Sequence, residues 1–213
     1  MFDPFQCLVG TFQDESEQTE CKPCSVGHYC PYQSMSSPFA CSSAHYQDKE
    51  GASLGYLNLL QNTKFTCKIS QMLQISLIRY CTPCPAGMFQ DTYGSSACKT
   101  CPAAKYCPAQ VSAPLSCPSG TYRNFGSGKR LDDCFPCTTG SYCHSSSIAV
   151  INCPEGYYQP QPGMSTFSDC IVCPKGSYCP TATPVTYKCD NGYYLNYDFD
   201  PGRARRNEDC TSN

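Results

Sequence analysis

Cysteine is the residue type through which this chain can do chemistry, with 21 of them among 213 residues. Many stand as Cys-x2-Cys pairs: Cys21 and Cys24, Cys98 and Cys101, Cys134 and Cys137, Cys170 and Cys173. Such a pair can hold zinc as half of a four-cysteine site, cycle as a redox dithiol, or feed a framework of structural disulfides. The spacing permits zinc, but a third cysteine follows at only x5, inside a Gly-x-Tyr-Cys string in three of four cases. Redox cycling needs an acidified thiolate at a helix start, and no helical period surrounds these pairs. The three histidines do not complete a metal site. His28 and His144 flank equivalent cysteines at non-equivalent positions, and His45 stands apart. Asp198, Asp200, Glu208 and Asp209 match no calcium-loop spacing, so a solvated turn is the better reading. No Ser/His/Asp set and no phosphate-binding glycine loop occurs. The expectation is a protein without catalytic residues, metal or cofactor.

The elements that position these cysteines repeat. Cys98, Cys134 and Cys170 are spaced by 36 residues, and each opens the string Cys-x2-Cys-x5-Cys-x9-Cys. The instances are Cys98, Cys101, Cys107, Cys117; Cys134, Cys137, Cys143, Cys153; and Cys170, Cys173, Cys179, Cys189. A fourth, Cys21, Cys24, Cys30, Cys41, has x10 in place of x9. Between the cysteines run Gly27-His28-Tyr29-Cys30, Gly140-Ser141-Tyr142-Cys143 and Gly176-Ser177-Tyr178-Cys179, with Ala104 replacing the glycine before Tyr106-Cys107. A second signature, Cys-Pro-x-Gly-x-Tyr or a near variant, starts at Cys7, Cys84, Cys117, Cys153 and Cys189. Each glycine supplies a positive-φ turn and each aromatic is expected to lie across a neighbouring disulfide. Short strands and hairpins fit this rhythm.

Composition agrees. Ile, Leu and Val number 22, nine of them between Leu54 and Ile78, and there is no Trp. The 13 left for the remaining 188 residues cannot fill one core. Net charge is −2, which gives no electrostatic case for nucleic acid or anionic membrane. So many cysteines act as staples only in an oxidising compartment, so the expected location is extracellular or at the cell surface. Met1-Phe2-Asp3-Pro4 lacks the pattern of a signal peptide, and the chain reads as a piece of a longer secreted protein. A membrane link would come only through another part of that parent.

The alternation of Cys-Pro-x-Gly-x-Tyr with Cys-x2-Cys-x2-Gly-x-Tyr-Cys resembles the ephrin-receptor-like cysteine-rich repeat, a relative of modules in growth-factor and tumour necrosis factor receptors. The resemblance covers roughly residues 7–53 and 81–210. It implies a small disulfide-rich fold: an elongated tandem array of cysteine-rich modules with short β-hairpins and little regular secondary structure. It also implies an extracellular structural or adhesive role, as a rod or filament-forming segment, with a ligand-binding receptor ectodomain as the alternative. Expected divisions are modules over 1–54, a divergent insertion at 55–80, modules at 81–116, 117–152 and 153–188, and a partial module at 189–213. Expected partners are other copies or repeats of the parent, or another extracellular protein.

Twenty-one cysteines allow a very large number of pairings. The simplest local scheme joins Cys7–Cys21, Cys24–Cys30, Cys84–Cys98, Cys101–Cys107, Cys117–Cys134, Cys137–Cys143, Cys153–Cys170, Cys173–Cys179 and Cys189–Cys210. Cys41, Cys67 and Cys81 remain, where the rhythm breaks, and Cys41 is expected to bond Cys67 or Cys81. Between Gly55 and Tyr80 the chain turns rich in Leu, Ile, Gln and Asn, and Ile69, Met72, Leu73 and Ile75–Ile78 suit a short amphipathic helix. Three readings of this stretch stand: a genuine insertion, a degenerate repeat, or untranslated sequence read through. Ser34–Pro38, Ser145–Ser147 and Thr181–Pro184 are candidate O-glycan loops, with no Asn-x-Ser/Thr sequon present. Arg203-Ala204-Arg205-Arg206 matches a furin-type cleavage pattern, with a plain basic loop as the simpler reading.

Overall fold

A computed structural model describes residues 6–52, 81–174, 176–191, 193–195 and 210–212. The segment 55–80 with its expected helix and Cys67, the acidic group Asp198–Asp209 and the Arg203–Arg206 string lie outside the described residues. The chain divides into two compact units, Met1–Thr100 with Pro108–Ala113, and Cys101–Cys107 with Pro114–Asn213.

Both units are arrays of antiparallel hairpins whose strands are two or three residues long. In the first, β1 (Thr11–Phe12) pairs with β2 (Lys22–Pro23), β3 (His28–Tyr29) with β4 (Phe39–Ala40), β5 (His45–Tyr46) with β6 (Thr82–Pro83), and β7 (Met88–Phe89) with β8 (Lys99–Thr100). In the second, the pairs are β9 (Lys105–Tyr106) with β10 (Leu115–Ser116), β11 (Thr121–Tyr122) with β12 (Phe135–Pro136), and β13 (Ser141–Tyr142) with β14 (Ile151–Asn152). Then follow β15 (Tyr157–Tyr158) with β16 (Ile171–Val172), β17 (Ser177–Tyr178) with β18 (Tyr187–Lys188), and β19 (Tyr193–Leu195) with β20 (Cys210–Ser212). Among the described residues the helical structure is two single 3-10 turns, Leu131–Asp133 and Phe167–Asp169. The fold is a small disulfide-rich hairpin array.

Every hairpin starts the same way, with Cys-x2-Gly-x-aromatic or its alanine variant. The residue after the cysteine accepts a turn bond from the residue before the aromatic, as Leu8 does from the Thr11 N–H at 3.0 Å and Pro118 from the Thr121 N–H at 3.2 Å. This geometry requires φ > 0 at the third turn position. Gly120 has φ 81° and Gly140 φ 77° there. Ala44 and Ala104 hold the same position at φ 67° and 62°, so these two turns carry left-handed strain. Ala104→Gly is expected to stabilise the second unit by about 1 kcal/mol, seen as a rise in its thermal midpoint.

Three backbone hydrogen bonds tie a hairpin to the next. Gly10 N–H donates to the Cys30 carbonyl, Cys24 N–H to the Gly10 carbonyl, and Ser34 N–H to the Cys7 carbonyl. The second unit repeats this with Gly120 to Cys143, Cys137 to Gly120, and Ser146 to Cys117. The third donor in each set is a left-handed loop residue, Ser34 at φ 56° and Ser146 at φ 60°. With strands this short, junction bonds rather than sheet ladders carry the order from hairpin to hairpin.

The core is cystine. Of the twelve largest fully buried side chains among the described residues, all but Ser141 are cysteines. The signature aromatics among the described residues are half-buried, since two-residue strands enclose little interior for a ring. They pair across or beside their hairpins: Tyr178 stacks on Tyr187 at 5.5 Å, and Tyr122 meets Phe135 at 6.2 Å.

Candidate functional site

Two kinds of disulfide alternate, except where the long Cys41–Cys81 and Cys84–Cys98 bridges follow one another. Short bridges, each of sequence separation 6, close the turn itself: Cys24–Cys30, Cys101–Cys107, Cys137–Cys143 and Cys173–Cys179. Long bridges clamp the base of the intervening hairpins. They are Cys7–Cys21 and Cys84–Cys98 (separation 14), Cys117–Cys134 and Cys153–Cys170 (17), and Cys189–Cys210 (21). A further long bridge joins Cys41 to Cys81 at separation 40. Cys41 is thus not left over. It opens its own hairpin, with Ala44 at the turn and Tyr46 as the aromatic, and Cys81 closes it just before β6. Loops of about 15 residues each contribute ~3 kcal/mol in the chain-entropy view.

The two members of a Cys-x2-Cys pair therefore belong to different bridges. Cys98 bonds Cys84 while Cys101 bonds Cys107. Neither thiolate chelation nor dithiol cycling is open to sulfurs held this way. Among the described residues no group of three or more His, Cys, Asp or Glu is placed to hold a metal. His28 and His45 each lie beside a serine of their own turn, Nδ1 to Oγ at 3.3 and 3.2 Å.

A second clamp escaped the sequence reading. After the signature aromatic a short hairpin has a cysteine, whereas five of the six long hairpins have Gln13, Gln47, Gln90, Arg123 or Gln159, and the one opened by Cys189 has Leu195. The side-chain N–H of Gln13, Gln90 and Gln159 donates to the carbonyl just before the closing cysteine, that of Glu20, Ala97 and Asp169. Arg123 Nη1 does the same to Asp133 at 2.7 Å. The carboxamide oxygen accepts the backbone N–H two residues on: Glu15, Lys49, Thr92 and Gln161, at 2.9–3.1 Å. Gln90 is 2% exposed and Gln159 3%. Glutamine reads as a surface residue; the signal was its fixed place behind the ring. Gln159→Ala removes the partner of the part-buried Asp169 carbonyl and of the Gln161 N–H, and is expected to cost about 1–3 kcal/mol. Faster exchange of the Gln161 amide would locate the loss in that loop.

Where the loop is longer, carboxylates add order. Asp133 accepts the Lys129 and Arg130 N–H groups at 2.6 and 3.1 Å, and these bonds hold its carboxyl below the usual range, helped by Arg123 and Arg130. Asp169 is held low likewise by the Ser165 and Thr166 N–H groups, both at 2.9 Å. The Arg123 guanidinium lies over Phe125 at 4.3 Å. Of the candidate glycan loops, Ser36, Ser37, Ser145, Ser146 and Thr181 are exposed. Thr183 is corrected: it is buried, and its hydroxyl donates to the Val185 carbonyl at 2.7 Å. The described residues contain no helix long and apolar enough to cross a membrane.

A family model described as tyrosine-protein kinase ephrin type A/B receptor-like matches residues 76–114. The chain is also 28% identical over 135 residues to the sushi, von Willebrand factor type A, EGF and pentraxin domain-containing protein 1 of Mus musculus, and to its namesake of Rattus norvegicus. These alignments take in 61% of this chain, which spans about 3% of the length of either relative. The family description is of a receptor-like module. The chain is a disulfide-rich array of extracellular-type cysteine-rich modules, and residues 76–114 are similar to the ephrin-receptor-like repeat.

Proposed function

We propose that the chain is a structural or adhesive spacer, a rod or filament-forming segment of a larger extracellular protein. The observation that carries this reading is the junction: within each unit, hairpins bond their sequential neighbours by recurring backbone contacts, which needs no global core. The partners proposed are other copies or repeats of the parent. In the second unit, Leu115, Phe135, Ile151, Ile171 and Tyr187 stand at the same strand position of successive hairpins, each 38–45% exposed and opposite a tyrosine. Such residues suit apolar contact with another protein surface. They equally favour the second reading, a ligand-binding ectodomain whose partner is a different extracellular protein. O-glycans on the exposed Ser and Thr loops would suit either.

Small-angle scattering with light scattering on the native chain tests the proposal. A compact chain of this length has a radius of gyration of about 17 Å. A spacer predicts a value well above that, with self-association that Phe135→Asp and Ile171→Asp together reduce. A compact, strictly monomeric particle would overturn it in favour of the receptor reading.

A further inference from the structure

The hairpin of β5 and β6 is complete without residues 55–80. Three long hairpins of the first unit follow one template: Cys7-x2-Gly10-x-Phe12-Gln13-Asp14, Cys84-x2-Gly87-x-Phe89-Gln90-Asp91 and Cys41-x2-Ala44-x-Tyr46-Gln47-Asp48. The tenth residue after the opening cysteine is left-handed in all three, Glu17 at φ 64°, Gly51 at φ 66° and Gly94 at φ 67°. Gly51 N–H donates to the Cys24 carbonyl as Gly94 N–H donates to that of Cys41. The eleventh residue accepts in the same way, Ala52 from Cys30 and Ser95 from Gln47. On the far side, β6 pairs with β5 in the register of β8 with β7, and Cys84 N–H reaches the Ala44 carbonyl as Cys24 N–H reaches that of Gly10.

Both template hairpins close at separation 14, and this one closes at 40, an excess of 26. Residues 55–80 number 26. Ser53-Leu54 then stand where Ser96-Ala97 stand before Cys98, and Leu54 would run directly into Cys81. The ten bridges use 20 cysteines, and the twenty-first, Cys67, falls inside the extra segment.

We infer that residues 55–80 are an insert in an otherwise intact hairpin, and that a form of the chain joining Leu54 to Cys81 folds with every one of its cysteines paired. The two forms differ by one cysteine, Cys67. This inference is independent of whether the array serves as a spacer or a receptor.

The test is secretion of three proteins: the full chain, the chain lacking 55–80, and one in which a 26-residue Gly/Ser linker replaces the segment. Alkylation followed by mass mapping without reduction reads the result. The inference expects Cys41–Cys81 in all three, one alkylated cysteine in the full chain, and none in the other two. The deleted form should melt no lower than the full chain. Free or mispaired Cys41 and Cys81 in the deleted form would overturn it, whether or not the linker form pairs correctly. Pairing of Cys67 with Cys41 or Cys81 in the full chain would also do so.

Discussion

Gly140→Ala should collapse its junction, while Gly163→Ala, at nearly the same backbone angle, should cost little. The two glycines have φ 77° and 78°, so the left-handed penalty of about 1–2 kcal/mol is common to both. Their surroundings differ. A Cβ on Gly140 would stand 2.0 Å from the Ala182 carbonyl oxygen, a rigid backbone atom, whereas one on Gly163 meets its nearest neighbour, the Gly120 oxygen, at 4.0 Å. Gly140 also donates its N–H to Gln159 and accepts from Cys153. Relief of the clash means moving the β17–β18 loop away, which breaks the bond from the Ala182 N–H to the Cys153 carbonyl. A loss of at least about 3 kcal/mol is expected for Gly140→Ala, in the range of severe core substitutions, against about 1 kcal/mol for Gly163→Ala. Differential scanning calorimetry measures the difference, and exchange of the Ala182 and Cys153 amides shows where it acts. Equal losses at the two sites would mean that backbone angle alone governs these turns.

Removing one long bridge should be as damaging, and local. Replacing Cys153 and Cys170 together by serine opens a loop of separation 17. The chain-entropy term is ~3 kcal/mol for a loop of this order. Burial adds to it, since Cys153 is fully buried and Cys170 is 6% exposed, and serine hydroxyls there have no sulfur to bond. The Gln159 clamp alone, worth one or two hydrogen bonds, cannot hold the loop closed. The amides of Gly140, Gly156 and Ala182, which bond across the flanking junctions, should lose protection. Those of Ala104 and Cys117, further back in the same unit, should keep theirs, because each hairpin bonds its sequential neighbours. A cooperative collapse of the whole second unit would show that coupling reaches further than these contacts.

What was legible in the sequence was whatever the covalent pattern dictates. Cysteine spacing and the Gly-x-aromatic strings place hairpins directly, because a positive-φ residue two before the ring permits only one turn there. What escaped was whatever depends on comparing non-identical residues. Ala44 hid the hairpin opened by Cys41, since alanine is not expected to hold φ 67°. The insert then carried the closing cysteine 40 residues away. The Gln and Arg clamps were invisible because burial of a polar side chain is set by a loop folding over it, and no periodicity announces that.

The central claim is that paired sulfurs, in short and long bridges, hold this chain together. Proteolysis of the native protein without reduction, followed by mass spectrometry of the linked peptides, tests it most directly. The account predicts that each Cys-x2-Cys pair is split between two bridges, as Cys98 is to Cys84 and Cys101 to Cys107. Finding most cysteines as free thiols, or Cys98 linked to Cys101, would contradict it.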